Sequence, residues 1–421
     1  MALCVDLDGT LLRTNLLFES LARLLRQKPW LLLVVPFWRL QGSAALQRHL
    51  ARNVSLDAAT LPYNAAYLEW LRKQKSLGRP LVLVTAADLT LARQVSAALG
   101  IFDDVQPTGG RTLDGAAAFA TPGASLRDCI AALRVHQWAK NILGFAPLIT
   151  SHEIFHLALV WRCTLAMGLF SLCSSAQYIL NDLVDLESDR RHATKRMRPF
   201  AAGTLPLWAG FVFAPWLLAA SLAGALALSA PFALTLAVYT VAALSYSLHF
   251  KKSVLVDVFV LSGLLLLRVI AGQLVTGVVY SVWLLSFGFF LLLSLAFAKR
   301  CIELSNSRGG EESLSGRGYQ VADLAQVNAF GVCSGFLAAV VFMLYLQSER
   351  VRELYRSPDF LWLLSPLFLY WITRVWILSS RGRIHEDPVM FVLKDRPTWW
   401  VACLAALIMA LAGAKSWSGN P

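Results

Sequence analysis

Acidic side chains at helical spacing follow a long apolar run that ends at Leu180. Asp182, Asp185 and Asp189 stand at i, i+3 and i+7, which places them on one face if the helix continues. Asn181 stands four residues before Asp185 and joins that face. Carboxylates near the carbonyl end of a helix need a cation to offset them. Oxygen ligands suit Mg²⁺, which usually binds together with substrate phosphates. The sequence therefore predicts a magnesium site formed by Asn181, Asp182, Asp185 and Asp189.

A basic block follows the acids directly. It consists of Arg190, Arg191, Lys195, Arg196 and Arg198. Guanidinium and ammonium groups are the usual phosphate donors in proteins. The alternative is a solvated, charge-balanced loop between two helices. The helical phasing of the acids and their place at the end of an apolar run favour the functional interpretation.

Further polar residues stand at the ends of other apolar runs. Asp257 and Arg268 are eleven residues apart, close to three helical turns, so they share a face. Arg268 lies at membrane depth, where an unpaired charge costs about 2.5–3.5 kcal/mol. It therefore either binds an anion, such as a lipid phosphate, or is a structural arginine bonded to carbonyls. The other candidates are Lys140, Asn141, Tyr246, Lys251, Lys299, Arg300, Glu386 and Asp387. Together they predict a cavity that takes a polyphosphorylated substrate from the cytoplasm and a lipid phosphate from the bilayer.

The composition indicates an integral membrane protein. The chain is 57% hydrophobic and only 15% charged, whereas soluble domains carry about 25% charged residues. Its net charge of +12 is explained by Lys and Arg in cytoplasmic loops, and no nucleic-acid partner is predicted. The seven cysteines show no metal-ligand spacing and indicate a reducing compartment. We expect no cleavable signal peptide.

Apolar runs predict nine membrane segments and the orientation of the chain. They cover residues 141–151, 158–180, 206–224, 230–247, 255–275, 281–298, 328–347, 360–379 and 398–414. Basic residues, among them Arg308 and Arg317, gather in alternate loops. Two loops of the opposite set, near 225–229 and 276–280, have none, and a third, Ser348–Ser357, has three Arg but also two Glu. This asymmetry predicts an N-terminus inside and a C-terminus outside, in a bacterial plasma membrane.

Residues 1–128 differ from the rest and form a predicted domain, with residues 129–421 as the membrane domain. Two short apolar strands, within Leu3–Thr10 and Pro80–Thr85, are accompanied by helical patterns over Ala58–Leu77 and Leu89–Leu99. This alternation predicts an α/β fold with a parallel sheet. The predicted fold class is thus an all-α membrane bundle with an N-terminal α/β domain.

The first strand ends in D-x-D-G-T and resembles the haloacid-dehalogenase (HAD) superfamily of phosphatases. That resemblance implies Asp6 as nucleophile, Asp8 as general acid or base, and Thr85 as phosphoryl-binding residue. The family also needs a later Lys and an acidic pair. No Lys lies between Thr85 and Ala139, and the segment Gly109–Phe119, where that Lys is expected, has none. We therefore expect a truncated, inactive HAD-like domain with a structural or regulatory role, rather than a working phosphatase.

The segment from Trp30 to Trp38 is apolar but too short to span a bilayer. Its flanking Trp residues, with Lys28 and Arg39, fit an interfacial segment that lies against the membrane. An ordinary buried helix is the equal alternative.

Several motifs in residues 130–415 resemble the UbiA prenyltransferase superfamily, in its decaprenyl-phosphate phosphoribosyltransferase branch. They are N-D-x-x-D-x-E-x-D-R, K-R-x-R-P, Q-W-x-K-N, Y-S-L-x-F-K-x-x-x-x-x-D and R-x-I-A-G. The resemblance implies nine helices, a cavity that faces the cytoplasm, and Mg²⁺ on the first acidic motif. Aromatic prenyltransferases of the superfamily have a second acidic motif, where this chain has only Asp257, followed by Leu261. Ala193 replaces a Pro that is usual in the basic motif.

These features lead to the hypothesis of an enzyme that moves 5-phosphoribosyl from phosphoribosyl diphosphate (PRPP) to a polyprenyl phosphate. Asp182, Asp185, Lys140 and Lys195 are the predicted catalytic residues. Predicted substrate-binding residues are Asn141, Asn181, Glu187, Arg190, Arg196, Arg198, Tyr246, Lys251, Asp257, Arg268, Lys299 and Arg300. The expected partners are PRPP, polyprenyl phosphate and membrane lipid, and a homo-oligomer is left open. The alternatives are an aromatic prenyltransferase that uses polyprenyl diphosphate, and a transporter of phosphorylated lipids.

Overall fold

The computed structural model describes residues 2–107, 123–192, 194–306, 317–384 and 387–413. The predictions that concern Gly109–Phe119, Ala193, Arg308 and Glu386 fall outside these residues. The chain divides into two compact units. Unit 1 comprises Met1–Val135 and Ser175–Leu218, and unit 2 comprises His136–Ser174 and Ala219–Pro421. The predicted domain boundary at residue 128 stays a prediction.

Most of the described chain is helical. In chain order the helices are α1 (Leu16–Gln27), α2 (Val35–Leu40), α3 (Ser43–Asn53), α4 (Ala65–Ser76), α5 (Leu89–Leu99), α6 (Leu126–Leu133), α7 (Ala146–Thr150), α8 (Leu157–Val184), α9 (Leu186–Arg191), α10 (Pro199–Ala202), α11 (Leu207–Leu228), α12 (Ala230–Leu248), α13 (Val256–Thr276), α14 (Val282–Asn306), α15 (Leu324–Leu346), α16 (Glu349–Leu354), α17 (Leu364–Ser380), α18 (Pro388–Lys394) and α19 (Arg396–Ala412). Short 3₁₀ segments join several of them, including Pro29–Leu33 and Val135–Phe145.

Unit 1 contains a three-stranded parallel sheet. Its strands are β1 (Leu3–Asp6), β2 (Leu81–Thr85) and β3 (Asp104–Pro107), in the order β1-β2-β3. All five residues of β2 are buried, as the central position of that strand requires. The two predicted strands and their parallel pairing are therefore present. The third strand was not predicted, because its sequence D-V-Q-P lacks the apolar run of a buried strand.

Two larger apolar clusters lie in the described part of unit 1 and hold the N-terminal segment together. One packs the strands against α4 and α5, with Tyr67, Leu71 and Val95 fully buried. The other packs α1 and α3 against the 3₁₀ segment and α2 that join them, and it includes Trp38. Phe211 of α11 also packs against this second cluster. The N-terminal segment is thus attached to the beginning of a long apolar helix within the same unit.

Unit 2 is a helical bundle with closely packed helix surfaces. A Cβ on Gly272 of α13 would overlap the carbonyl oxygen of Gly144, so the two backbones touch there. Gly331 of α15 packs against the ring of Trp376 in the same manner. Small residues at helix contacts are typical of membrane bundles, where backbones approach closely.

Seven helical segments in the described chain are long and apolar enough to cross a membrane. They are Leu157–Val184, Leu207–Leu228, Ala230–Leu248, Val256–Thr276, Val282–Asn306, Val321–Leu346 and Pro358–Ser380. The prediction of nine is thereby corrected. Residues 141–151 form a 3₁₀ segment and the short helix α7, because Pro147 starts a new helix there and His152 ends it in a left-handed conformation. The last candidate forms α19, which has 17 residues and at 1.5 Å per residue is shorter than a full crossing.

Candidate functional site

The acidic motif lies at a joint between two helices of unit 1. Helix α8 ends at Val184, Asp185 has non-helical dihedrals (φ −93°, ψ 8°), and α9 begins at Leu186. Hydrogen bonds of helical spacing nevertheless continue across the joint. The Asp185 N–H donates to Asn181 O and the Asp189 N–H donates to Asp185 O, each at 2.8 Å. The acids therefore keep the predicted helical phase, although Asp185 itself lies between the two helices.

Asp182 and Asp189 converge on one guanidinium group. Arg198 Nη1 lies 2.5 Å from Asp189 Oδ2 and 3.3 Å from Asp182 Oδ1. Arg134 forms a second ion pair with Asp182 Oδ1. Both carboxylates are buried. We call Asp182, Asp189, Arg134 and Arg198 the acidic cluster, in which two anions are offset by two cations.

Arg134 is held in this cluster by an unusual backbone conformation. Its φ of 50° and ψ of 47° lie in the left-handed region, which costs a non-glycine residue about 1–2 kcal/mol. The carbonyl before it, Leu133 O, accepts a hydrogen bond from Ser175 Oγ at 2.8 Å. The guanidinium also lies over the ring of Tyr178. Arg134 was not among the predicted site residues, although it lies three residues before the Q-W-x-K-N motif.

The neighbouring cations do not fully offset the effect of burial on Asp189. Burial raises the pKa of Asp189 above its ordinary value, and Arg198 and Lys195 offset that rise only in part. The neighbouring Asp185 adds repulsion between like charges and raises the pKa further. A carboxyl in this condition gains stability from an additional cation nearby.

The donor set of the acidic cluster fits a hard divalent cation in part. Asp182 and Asp189 supply oxygen ligands that already meet around one positive group. Within the described ranges no three Asp, Glu, His or Cys side chains come close enough to hold a metal ion together. Mg²⁺ commonly uses one or two carboxylates and completes its shell with water and phosphate. The structure thus brings together two of the predicted ligands, and the set with Asn181 and Asp185 stays a prediction.

The opposite face of α9 is bound to the N-terminal segment. Arg190 forms a two-pronged ion pair with Glu19 of α1, at 3.0 and 2.6 Å, and Glu19 also accepts from Thr14 Oγ1 at 2.6 Å. Glu187 of α9 pairs with Arg23 of α1 and with Arg191 of its own helix. Glu187 and Arg190, predicted to bind substrate, thus pair with residues outside the acidic cluster. Their positions differ from that of Asp189 because a helix directs neighbouring residues to different sides.

The remaining predicted residues of this stretch are more accessible. Asn181 and Asp185 are half-buried, and Lys195 and Arg196 are exposed. Their roles stay predictions.

In unit 2, two lysines meet at one carboxylate oxygen. Asp387 Oδ2 lies 2.9 Å from Lys140 Nζ and 3.3 Å from Lys299 Nζ. Its other oxygen accepts from the Val389 N–H and caps the start of α18. We call these three residues the lysine cluster. Two ammonium groups share one carboxylate, so the lysine cluster carries net positive charge.

The charges of the lysine cluster are strongly coupled. Burial lowers the pKa of Lys140 to about 8, and repulsion from Lys299 and Arg268 acts in the same direction against the attraction of Asp387. Burial alone would raise the pKa of Asp387, but the two ammonium groups hold it well below its ordinary value. Asp387, predicted only as part of a polar run, is the residue that joins the two lysines.

Asp257 and Arg300 lie in a second ionic network of unit 2, which is closed. Arg300 Nε lies 2.9 Å from Asp257 Oδ2, without the alignment of a hydrogen bond, and Arg300 also pairs with Glu303. Arg317 lies 3.2 Å from Glu303, and Tyr319 Oη donates to Asp257 Oδ1 at 2.6 Å. Tyr246 Oη accepts from both arginines. Two acids and two arginines thus balance one another in charge. Glu303, Arg317 and Tyr319 were not among the predicted site residues.

Arg268 is buried among neutral groups. Its guanidinium donates to Asn141 Oδ1 at 2.8 Å, to Leu264 O at 2.5 Å and to Tyr239 Oη at 3.3 Å. It also lies over the rings of Phe170 and Tyr239. These contacts agree with the structural alternative for Arg268, and its contact with a lipid phosphate stays a prediction. Lys251 is half-buried in the short 3₁₀ segment Phe250–Lys252.

Residues 142–381 match the family model described as the UbiA prenyltransferase family. The chain belongs to the UbiA prenyltransferase family. With its apolar helices it is an integral membrane protein. Its clusters of charged residues are therefore candidates for the groups that carry out UbiA-type transferase chemistry.

Named relatives extend over much of this UbiA-family chain. The uncharacterized protein y4nM of Sinorhizobium fredii is 34% identical over 98% of this chain and 91% of its own length. The nodulation protein NoeC of Azorhizobium caulinodans is 32% identical over 66% of this chain and 91% of its own. The decaprenyl-phosphate phosphoribosyltransferase of Mycolicibacterium smegmatis is 29% identical over 73% of this chain and 97% of its own.

The fold is also similar to that of a solved structure. A UbiA homologue from Archaeoglobus fulgidus, solved with DMAPP and Mg²⁺ bound, matches 67% of this chain and 96% of its own with a TM-score of 0.51. The two are 18% identical, so this likeness concerns the fold alone.

Proposed function

We propose that the protein transfers the 5-phosphoribosyl group of PRPP to a polyprenyl phosphate, with release of diphosphate. The observation that carries the proposal is the acidic cluster, where Asp182 and Asp189 converge on a single guanidinium at the end of a membrane helix. Relatives named decaprenyl-phosphate phosphoribosyltransferase support the choice of substrates. The proposal places the N-terminus on the cytoplasmic side of a bacterial plasma membrane and the C-terminus outside.

Asp182 and Asp189 would hold Mg²⁺ in the acidic cluster, with Asn181 and Asp185 as further candidates. When bound, the metal would neutralise the diphosphate leaving group. Arg198 and Arg134 are then free to donate to phosphate oxygens, because a guanidinium binds carboxylate and phosphate with the same geometry. Lys195 and Arg196, both exposed, would add donors for the 5-phosphate.

The lysine cluster would bind the phosphate of the lipid acceptor. Lys140 and Lys299 share one carboxylate, and the net charge that remains is positive. A phosphate with one negative charge can therefore enter without leaving an unpaired charge buried. Lys251 and Arg268 are further candidates for this contact.

The transfer itself needs little acid–base help from the protein. An oxygen of the acceptor phosphate forms a bond to the anomeric carbon of the ribose, and the bond from that carbon to the diphosphate breaks. The acceptor is already an anion, so no strong base has to remove a proton. Catalysis would rest on positioning of the two substrates and on stabilisation of the departing charge.

Prenyl transfer from a polyprenyl diphosphate to an aromatic ring is the second candidate, since the family is named for prenyl transfer. The geometry of Asp257 argues against it. Asp257 pairs with Arg300 and Arg317 and accepts from Tyr319, so it is already neutralised. A second acidic site for a metal-bound diphosphate would need that carboxylate to be available.

The N-terminal α/β segment is proposed to be a truncated HAD-like domain that no longer hydrolyses phosphate esters. The pairing of Glu19 with Arg190 supports a structural role for it, because this pair attaches α1 to the helix that bears Asp189. A homo-oligomer is compatible with this proposal.

Product analysis tests the proposal directly. The full chain in nanodiscs is incubated with PRPP labelled in the ribose, polyprenyl phosphate and Mg²⁺, and the lipid fraction is examined by mass spectrometry. We expect a pentose phosphate on the lipid with the wild type, and loss of the product with Asp189→Asn. The matched control is Asp359→Asn, an exposed aspartate outside both clusters, which should leave turnover unchanged. A prenylated ring as the product, or full activity of Asp189→Asn, would overturn the assignment.

A further inference from the structure

The short segment between α1 and α3 has two apolar faces, and only one of them packs on the protein. Trp38, Leu31, Leu32 and Val35 pack inward on α1 and α3. Leu33 and Phe37 point away from that cluster, with 79% and 64% of their surface exposed. We call the outward side chains the interfacial surface: Trp30, Leu33, Val34, Phe37 and Leu40.

The spacing of the interfacial surface is that of a helix. Four of its residues stand at i, i+3, i+4 and i+7 along the 3₁₀ segment and α2; they are Trp30, Leu33, Val34 and Phe37. A helix in contact with water would carry polar residues on its outer side. A contiguous exposed patch of large apolar side chains indicates a binding partner.

The fold attaches this segment to a membrane helix within unit 1. The rings of Phe18 in α1 and Phe211 in α11 lie 6.2 Å apart between centroids. Phe211 belongs to the same apolar cluster as Trp38. Just before α1 in the chain, Arg13 Cβ lies close to where a Cβ on Gly203 would be, so the turn before α11 also packs on the N-terminal segment.

Because α11 has the length of a membrane crossing, the contact with Phe211 near its start lies at the depth of the membrane interface. Helix α11 has 22 residues, about 33 Å at 1.5 Å per residue, which matches a hydrocarbon core of about 30 Å. Phe211 is the fifth residue of the helix and so lies about 6 Å from its start. Amphipathic helices that lie on membranes insert to about 5–10 Å at the boundary between headgroups and acyl chains.

The charge of the segment fits an anionic lipid surface. Residues 20–56 contain six Lys or Arg and no Asp or Glu; Arg23 and Arg26 pair with Glu187, and the other four are Lys28, Arg39, Arg48 and Arg52. Basic residues beside an apolar helix face add attraction to anionic headgroups.

We propose that the interfacial surface inserts into the headgroup layer of the leaflet in which α11 begins. The N-terminal segment would thus be bound to anionic phospholipid as well as to α11. This inference does not depend on the reaction proposed above, because it uses only exposed side chains, the packing of Phe211 and the charge of residues 20–56.

Photo-crosslinking to lipid tests the inference in the full chain. p-Benzoylphenylalanine is placed at Phe37 in one variant and at Leu33 in another, so that a folding failure of one leaves the other. Each variant is reconstituted in nanodiscs of phosphatidylcholine and phosphatidylglycerol, irradiated, and examined by intact-protein mass spectrometry. The same substitution at Leu77, an exposed leucine after α4, is the negative control; at Val241, an exposed residue of a membrane helix, it is the positive control.

We expect lipid adducts at positions 33 and 37 in a yield close to that at position 241 and at least about fivefold above that at position 77. Replacement of phosphatidylglycerol by phosphatidylcholine should lower the yield at 33 and 37 but not at 241. A yield equal to that at position 77 would overturn the inference. So would crosslinks between two copies of the chain in place of lipid adducts, because the occupant would then be a second copy.

Discussion

Two pairs of aspartates in unit 1 have opposite surroundings. Asp6 ends β1 and Asp8 lies two residues later, and among the residues that the structure describes neither makes an ion pair with Lys or Arg. Asp182 and Asp189 share Arg198, and Asp182 has Arg134 in addition. Aspartate spacing in the sequence does not tell whether cations lie beside the acids, and the folded structure does.

In the uncompensated pair, Asp8 keeps its proton to a higher pH than an ordinary aspartate does. Burial raises the pKa of Asp8 to about 6, and the nearby Asp6 acts in the same direction against a hydrogen bond from the Leu16 N–H. Burial also raises the pKa of Asp6. A carboxyl that is partly protonated near neutral pH, with no cation beside it, is poorly prepared for phosphoryl chemistry. The acidic cluster is therefore the better candidate for the reaction, and four predictions test this contrast.

The largest expected effect distinguishes the two pairs by activity. Asp182→Asn should lower ribosyl transfer by about a thousandfold, because leaving-group stabilisation of this kind is worth about 10²–10³ per group or more. Asp6→Asn removes the same charge from the other pair and should leave turnover within about twofold of the wild type. Initial rates with saturating PRPP provide the measurement. Equal losses in the two variants would contradict the contrast.

The second prediction concerns the attachment of the two regions. Glu19→Gln breaks a buried ion pair with Arg190 and should destabilise unit 1 by about 3 kcal/mol, since removal of one partner leaves a buried charge unpaired. It should also raise the KM for PRPP, because α9 bears Asp189. Thermal unfolding in nanodiscs and initial rates measure both effects.

The control for this variant is Glu349→Gln. Glu349 pairs with Arg352 on an exposed helix, so its loss should cost well under about 1 kcal/mol. If the two glutamate variants unfold at the same temperature, the Glu19–Arg190 pair does not hold α9 in place.

The third prediction uses the raised pKa of Asp8. The unfolded chain loses the proton of Asp8 near its ordinary pKa, and the folded chain only near 6. Between these values the folded state binds more protons, so the free energy of unfolding falls as pH rises and the loss is complete above about pH 6. Asp8→Asn keeps the acceptor for the Leu16 N–H and should be about 2 kcal/mol more stable than the wild type near pH 7.5. Near pH 4 the two proteins should unfold alike; a constant difference across this range would refute the explanation.

The smallest effect concerns a third carboxylate, Asp387, which is compensated by two lysines. The pKa of Lys140 is about 8, so its positive charge is lost as pH rises above that value. The KM for polyprenyl phosphate should rise about tenfold one pH unit above 8, and Lys140→Arg should abolish the rise because arginine stays protonated. Lys251→Arg is the control and should keep the rise. A pH profile that is unchanged by Lys140→Arg would exclude Lys140 from acceptor binding.

The long apolar helices could be predicted from the sequence with bounds close to those observed. The run at 158–180 became Leu157–Val184, and the run at 230–247 became Ala230–Leu248. Length and hydropathy are sufficient there because a membrane helix satisfies its own backbone hydrogen bonds. The run at 141–151 failed, since an apolar composition does not reveal that Gly144 must contact Gly272 or that Pro147 restarts the helix.

Only those contacts of the candidate site that join residues close together in the chain could be predicted. Helical phase placed Asp182 and Asp189 together, and the structure agrees. Two pairings between distant positions were not predicted: that of Arg134 depends on a left-handed backbone, and that of Asp387 on a contact 247 residues away. Sequence spacing carries no signal for either, because both are consequences of tertiary packing.

The joint at Asp185 has a consequence for the tolerance of the chain to insertions. One residue, with hydrogen bonds of helical spacing on both sides, links α8 to α9. An extra residue placed there would rotate α9 by about 100° about its axis. Asp189 would then turn away from Arg198, and Arg190 could no longer reach Glu19. The length of this link therefore matters as much as the identity of its residues. Insertions or deletions there should be tolerated far less than substitutions.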